Sequence, residues 1–316
     1  MDSVTPSILR RFSVVLNRES GTIAGLGAEH VAEGLKQIYA ELELQVDVQA
    51  VPGAEIEDAL KRARDSDSDA VIVGGGDGTV ATAATIMAGS DKPLGVLPLG
   101  TFNLAARDLG MNLNWEIAAR SLAEAPQGEM DLLDVEGKLY LCVIVLGFYP
   151  TLAMGQKEYH GHWMIKAVKT AALTLRSMAT FPPLRLILNE NGKEVRFRTR
   201  MALLANNDYE DIFGIIPRRN NLDAGYFTVY VSRHRTRWGL IRSFFAWMIG
   251  RWKQDKELTA FRATDLEIHA RRRRRVAVMM DGELQKLPVP FRVKILPKAL
   301  RVLAPRLAPP ETTNPV

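Results

Sequence analysis

One cysteine, Cys142, among 316 residues leaves no partner for a disulfide framework or a thiolate metal cluster. It lies in the apolar run LYLCVIVLG, which predicts a buried core thiol in a reducing compartment. The five histidines, His30, His160, His162, His234 and His269, are scattered, so no zinc spacing arises. There is no G-x-S-x-G to form a hydrolase nucleophile elbow and no G-x-x-x-x-G-K-[ST] to form a P-loop. No run of about eighteen apolar residues could span a bilayer, and the N-terminus carries two arginines but no signal-peptide core. A cytoplasmic protein, touching the inner face of the membrane peripherally, is the expectation. The net charge is only +5, with 24% charged and 47% hydrophobic residues, as in an ordinary globular chain long enough for two cores. That charge suits a nucleotide, an anionic lipid or a nucleic acid without choosing among them.

What is present centres on Val71 to Thr79, VIVGGGDGT. Three β-branched residues predict a buried strand, and three glycines break it before Asp77, Gly78 and Thr79. Without Cβ atoms, Gly74, Gly75 and Gly76 can take positive φ and approach an anion closely, with a helix from Val80 to Met87 aimed at the same spot. Asp77 would repel phosphate unless a cation lies between them, which points to a magnesium nucleotide. A glycine-rich strand-to-helix turn is the plain alternative, but such a turn has no evident use for the aspartate. The G-x-G-x-G spacing, with no acidic residue about twenty positions on, argues against a dinucleotide fingerprint.

Upstream, FSVVL (Phe12 to Leu16) reads as a strand running into NRESGT, which sets Asn17, Ser20 and Thr22 at its carboxyl edge before a helix from Ala28 to Glu41. A weaker strand, Leu42 to Val48, and a helix, Ala54 to Arg64, follow. PLGVLP (Pro93 to Pro98) is the next strand, and its loop PLGTFN offers Gly100 for a tight turn and Thr101 and Asn103 as neutral hydrogen-bond partners. Leu104 to Leu109 then continues as a helix, so Thr101 and Asn103 are either a cap or ligand contacts. Three strand ends thus converge on one crevice.

GGGDGT followed by PLGTFN resembles the diacylglycerol kinase catalytic domain family, which includes sphingosine kinases, ceramide kinases and bacterial lipid kinases. NRESGT sits where that family has its asparagine-containing first loop, Asn221 to Gly225 (NLDAG) resembles its L-D-D-G segment, and Asp281 to Glu283 (DGE) its late acidic motif. The likeness runs from about Phe12 to Pro305 in matching order. Two positions depart from the pattern. Leu104 stands where many members carry aspartate, and Ala224 replaces the second aspartate of L-D-D-G, which puts a metal at Asp223 in doubt. The resemblance implies a nucleotide site of Asn17, Ser20, Gly74, Gly75, Gly76, Gly78, Thr79, Gly100, Thr101 and Asn103. It further implies Asp281 as general base assisted by Glu283, and Asp77 on the magnesium side, with Asp77 and Asp281 able to exchange roles.

From Asp131 onward the texture changes to short β-rich runs: Asp131 to Val135, Lys138 to Leu146, Pro183 to Asn189, Glu194 to Leu204, Gly225 to Val231, Thr264 to Ala270, Val276 to Met280 and Phe291 to Leu296. Glu136-Gly137 and Asn191-Gly192 supply turn signals. The pattern predicts an antiparallel β-sandwich, and the resemblance implies that it follows a three-layer, Rossmann-like α/β nucleotide domain of the NAD kinase and diacylglycerol kinase type. The expected limits are 1–127 with 300–308 returning for the α/β domain, 128–299 for the sandwich enclosing the site with it, and a disordered tail over 309–316.

Two helical segments interrupt the strands. His162 to Met178 reads as scaffold, whereas Trp238 to Trp252 (WGLIRSFFAWMIGRW) sets Trp238, Trp247 and Trp252 among basic residues. That mixture suits a helix in the headgroup layer of an anionic membrane, or one that covers the sandwich core. Arg271 to Arg275 reads first as a solvated turn, with anionic lipid or nucleotide phosphate as alternatives. Nucleic acid is not expected, because no aromatics interleave with these arginines. The reading is an ATP- and Mg2+-dependent lipid kinase acting on a diacylglycerol-like hydroxyl, with homodimerisation left open. A soluble NAD kinase-like small-molecule kinase and a non-catalytic lipid- or nucleotide-binding regulator are the alternatives.

Overall fold

The structure is a computed structural model that describes residues 9–147, 183–190, 193–209, 219, 221–234 and 254–307, with 236, 238, 239, 242, 243, 246 and 251 as isolated positions. The helix expected at His162 to Met178, the Asn191-Gly192 turn, Trp247, Trp252 and the 309–316 tail lie outside the described residues. Two compact units form, Met1–Met130 with Lys298–Val316, and Asp131–Pro297.

In the first unit strands and helices alternate: β1 (Arg11–Asn17), α1 (Gly21–Leu26), α2 (Ala28–Glu41), β2 (Gln45–Val51), α3 (Ile56–Asp65), β3 (Ala70–Gly75), α4 (Asp77–Met87), β4 (Leu94–Pro98), α5 (Leu104–Asp108) and α6 (Trp115–Ala123). The strands pair in parallel in the order β2-β1-β3-β4. Every residue of β3 and β4 is buried, as befits central strands covered on both faces, which is why their sequences are continuous apolar runs. Helix α2 packs on β1 through an edge-on contact of Tyr39 with Phe12, ring centres 5.1 Å apart. Asn114 caps α6, its side chain accepting from the Glu116 and Ile117 N–H groups. Because the strands are parallel, the chain leaves β1, β3 and β4 at one edge.

The glycine segment differs from expectation. Strand β3 runs on through Gly75, and α4 begins at Asp77 rather than Val80, so Gly76 alone separates strand from helix. The second strand lies three residues further on than expected, because Leu42 to Leu44 serve as the turn after α2.

The second unit contains the rest of β5 (Gln127–Val135), β6 (Lys138–Tyr140), β7 (Val143–Gly147), β8 (Leu184–Glu190), β9 (Lys193–Thr199), β10 (Met201–Asn206), β11 (Phe227–Ser232), β12 (Leu258–Ala263), β13 (Asp265–Ala270), β14 (Arg275–Met280) and β15 (Glu283–Pro288). It also holds most of β16 (Phe291–Leu303), whose last residues pair in parallel with β4 in the first unit. One sheet orders β16-β13-β8-β9 and the other β12-β11-β10-β7-β14-β15, with antiparallel neighbours. Alternate residues of both sheets, among them Leu186, Leu204, Phe227, Ile268, Val278 and Phe291, interdigitate in one apolar core. This is the expected sandwich.

Strand β5 begins four residues before the expected Asp131, and three of the expected runs are divided or joined differently. Glu194 to Leu204 is two strands in different sheets, because the Thr199 hydroxyl bonds both the N–H and the carbonyl of Met201 and turns the chain at Arg200. Lys138 to Leu146 breaks at Leu141-Cys142, and Phe291 to Leu296 joins Leu300 to Ala304 as one strand through Leu303. Strands β12 and β15 have no counterpart in the sequence reading. Cys142 is buried, as anticipated.

Candidate active site

In the first unit, side chains at the carboxyl edge of the parallel sheet knit three loops together. Asn17 ends β1; its Nδ2 donates to Thr79 Oγ1 at 3.0 Å while its Oδ1 accepts from the Glu19 N–H. Ser20 Oγ donates to the Leu99 carbonyl at 3.3 Å, and Thr22 Oγ1 to that of Gly100 at 3.5 Å. Asn103 adopts a left-handed φ of 52° and closes a ring on Gly100, accepting from its N–H at 2.8 Å and donating to its carbonyl at 2.9 Å. Asp77 completes the arrangement. Its Oδ1 accepts from the Leu104 N–H at 2.8 Å and its Oδ2 from that of Asn103 at 3.3 Å, so a carboxylate from α4 caps α5. A glycine turn therefore does have a structural use for this aspartate, contrary to the sequence argument.

The glycines matter through space rather than through φ. Gly74, Gly75, Gly76 and Gly100 are absent from the residues with positive φ, and Gly76 has φ −77°. A Cβ on Gly74 would stand 2.5 Å from Leu16, one on Gly75 2.7 Å from Thr79, and one on Gly100 2.8 Å from the Gly76 backbone. These three are packing constraints. A Cβ on Gly76 would meet nothing within 4 Å, so the surface ahead of α4 is open at that residue. Gly78 lies in the first turn of α4, with its carbonyl accepting from Thr82. Thr101 and Phe102 are exposed at the tip of their loop.

In the second unit a polar cluster lies inside the sandwich. Met280 and Glu283 pair directly, so Asp281 and Gly282 form a two-residue hairpin turn with φ of 46° and 87°. The Asp281 side chain points inward and is 4% exposed. Its Oδ1 accepts from the N–H groups of Cys142 and Val143, both at 2.9 Å, and its Oδ2 from that of Leu141 at 2.6 Å. These bonds take the N–H groups that a continuous ladder would use, which accounts for the break between β6 and β7. Burial pushes the carboxyl pKa up, while the three N–H donors and the nearby Arg219 guanidinium pull it back. Glu283 is exposed at the start of β15.

Arg219, fully buried, donates to the Leu141 carbonyl at 3.1 Å, and Asn206 donates to the same carbonyl at 2.7 Å. Asp131, also fully buried, accepts from Asn207 at 2.9 Å and from the Gly225 N–H at 2.6 Å. None of Asp131, Asn206, Asn207 or Arg219 was foreseen as a site residue. The signal was there in NND (Asn206 to Asp208), a polar trio that ends an apolar run.

Residues 11–135 match the diacylglycerol kinase catalytic domain, and residues 153–304 match the YegS C-terminal NAD kinase beta sandwich-like domain. The chain carries a diacylglycerol kinase catalytic domain followed by a YegS-type C-terminal domain, and it is a lipid kinase. A diacylglycerol kinase of Mycobacterium tuberculosis is 28% identical over 274 residues, covering 83% of this chain and 86% of its own. The crystal structure of a diacylglycerol kinase from Bacillus anthracis superposes with a TM-score of 0.66 at 15% identity, over 94% of this chain and 97% of its own. A second chain from that organism gives 0.72 at 18%, over 96% and 98%. At these identities the superpositions speak for the fold alone.

In this lipid kinase the L-D-D-G-like segment contributes a backbone contact. Asp223 is exposed, and it is the Gly225 N–H, at φ 74°, that engages Asp131. Among the described residues no group of three or more His, Cys, Asp or Glu side chains is placed to hold a metal. Nor is any helix among them long and apolar enough to cross a membrane.

Proposed function

We propose that this lipid kinase transfers the γ-phosphoryl group of Mg-ATP to the hydroxyl of a diacylglycerol-like lipid. The observation that carries the nucleotide half is the knit edge of the first unit, where Asn17, Thr79, Asp77, Asn103 and Gly100 fix one another around the open surface at Gly76. Phosphate oxygens approach there toward the N-terminus of α4. Asp77 fits the magnesium side: each of its oxygens accepts one N–H and keeps a further lone pair for a hydrated cation. Magnesium, when bound, neutralises phosphate oxygens and aligns the γ-phosphoryl group.

Asp281 is proposed to accept the proton of the lipid hydroxyl as that oxygen bonds to the γ-phosphorus and the β–γ bridging oxygen leaves on ADP. Three N–H donors hold the carboxylate still, and burial raises its pKa toward the range of an effective base. One acceptor position remains on it for the hydroxyl. Glu283, two residues on, is proposed to orient the acceptor. Trp238, 71% exposed, is proposed to rest among anionic headgroups at a peripheral membrane surface. Radiolabelled ATP offered to a panel of lipids in mixed micelles, with NAD as control, tests the reading. Label in a lipid hydroxyl supports it, and label in NAD alone overturns it.

A further inference from the structure

The outward face of the β13-β8-β9 sheet carries a row of like charges. Register places Arg185 directly opposite Arg198, and the Arg271 N–H donates to the Arg185 carbonyl at 2.9 Å, one step beyond the pair Ala270 and Leu186. Three arginines on three adjacent strands therefore share one face, at the strand spacing of about 4.8 Å. All three are exposed. The turn that follows, Arg272 to Arg274, adds three more exposed guanidiniums.

Like charges directly opposite one another destabilise a sheet, and the carboxylates that could relieve them are committed elsewhere on this face. Glu194 pairs with Arg196, Glu267 with His269, and Asp265 with Arg292. Among the described residues, no ion pair reaches Arg185, Arg198 or Arg271 to Arg274. The opposite face of the same strands supplies core residues Leu186, Phe197 and Ile268, so the arginines cannot turn inward to find partners. The row is thus left to complement an anionic surface brought from outside.

We infer that the Arg185–Arg198–Arg271 row, with its adjoining turn, docks the protein on the anionic surface of a lipid bilayer. The choice of a bilayer rests on the lipid-kinase reading, since the substrate is then held in a membrane. A row of guanidiniums spread over three strands suits the many headgroups of an anionic leaflet, and among the described residues this face presents no exposed aromatic platform on which bases could stack. Each basic side chain close to an anionic leaflet strengthens partitioning by about fivefold, so the row alone contributes on the order of 100-fold.

The test compares wild type with Arg185→Gln/Arg198→Gln/Arg271→Gln in sedimentation with sucrose-loaded vesicles of phosphatidylcholine, with and without 30% phosphatidylglycerol (about 0.1 M salt). The expected result is a loss on the order of 100-fold in partitioning onto the phosphatidylglycerol vesicles, with Lys36→Gln/Lys61→Gln/Arg62→Gln, which removes the same charge from α2 and α3, retaining most of its binding. Arg272→Gln/Arg273→Gln/Arg274→Gln leaves the strand ladder untouched and is expected to lose binding in the same direction, which covers the case in which the first variant fails to fold. Wild-type strength in both arginine variants would overturn the inference. So would tighter binding of wild type to a DNA duplex of about 40 base pairs than to the anionic vesicles in the same buffer, which would assign the face to nucleic acid. Turnover of lipid in neutral-detergent micelles is measured alongside. It is expected to be unchanged in the arginine variants, and its absence in wild type would count against the kinase reading rather than against the docking face.

Discussion

Replacing Asp281 by asparagine separates the two things this carboxylate can do, and the structure sets the size of each. The side chain accepts three N–H bonds, two at Oδ1 and one at Oδ2. Asparagine keeps its carbonyl oxygen toward Cys142 and Val143 and turns its amide toward the Leu141 N–H, so one donor faces another. Leaving one buried N–H without an acceptor costs about 1–3 kcal/mol, and the lower half of that range applies because the variant no longer buries a charge. For a unit of this size that is a fall in Tm of roughly 2–8 °C by circular dichroism. The pH dependence has a definite sign. Burial raises the folded-state pKa of Asp281, so its contribution to stability is fully present in acid, below the unfolded-state value, and is lost as pH rises through the folded-state value. The gap in Tm between wild type and Asp281→Asn should therefore widen as pH falls from about 8 toward about 4.5. A gap that narrows instead would show that the three N–H bonds outweigh burial. If Asp281 is also the base, phosphoryl transfer falls by about 10²- to 10⁴-fold with ATP affinity unchanged. Turnover within a few-fold of wild type in the folded variant would remove it from that role and leave it a clamp on residues 141–143.

The glycines give a paired test. Gly76→Ala meets open space at a permissive φ, so its stability should stay within about 0.5 kcal/mol of wild type while KM for ATP rises, whereas Gly75→Ala, aimed at Thr79, should lower Tm. Steady-state kinetics and thermal melts on the two proteins read this directly. Asp77→Ala uncaps the Asn103 and Leu104 N–H groups and should cost about 1–2 kcal/mol, with ATP affinity weakened at least about tenfold by titration calorimetry. Unchanged affinity would take Asp77 out of the nucleotide site. Removing divalent cations with EDTA should abolish lipid phosphorylation, and adding magnesium back should restore it; full activity in EDTA would refute the magnesium reading.

Much of the first unit was legible because its central strands are continuous apolar runs and its loops are short. The period of the pattern located β1, α2, β4 and α5 to within a residue or two. The sandwich was legible as a class but not strand by strand. Arg200 looks like any strand residue, and only the bonds of Thr199 to Met201 show that the chain changes sheets there. Likewise LYLCVIVLG reads as one strand, and what breaks it is Asp281, some 140 positions away. A local pattern cannot report a hydrogen bond of that span. The polar interior of the sandwich escaped notice for the same reason, since the guanidinium of Arg219 is stable inside only when carbonyls such as that of Leu141 are already waiting.

The three aspartates that matter here share one device, and it changes how the motifs should be understood. Asp77 holds the N–H groups of Asn103 and Leu104, Asp281 those of Leu141 to Val143, and Asp131 that of Gly225. Each carboxylate fixes the backbone of a segment distant in sequence, so each spacing in GGGDGT, PLGTFN and DGE reflects a clamp as well as any chemistry. A clamped carboxylate loses little rotamer entropy when substrate arrives and keeps its remaining lone pairs aimed, which is what a magnesium-side ligand or a base requires. Structural and chemical roles therefore do not compete at these positions. It follows that a substitution at Asp77 or Asp281 should lower stability and turnover together, and that restoring stability elsewhere in the unit should recover Tm without recovering phosphoryl transfer. Recovery of both would mean that the carboxylate was needed for shape alone.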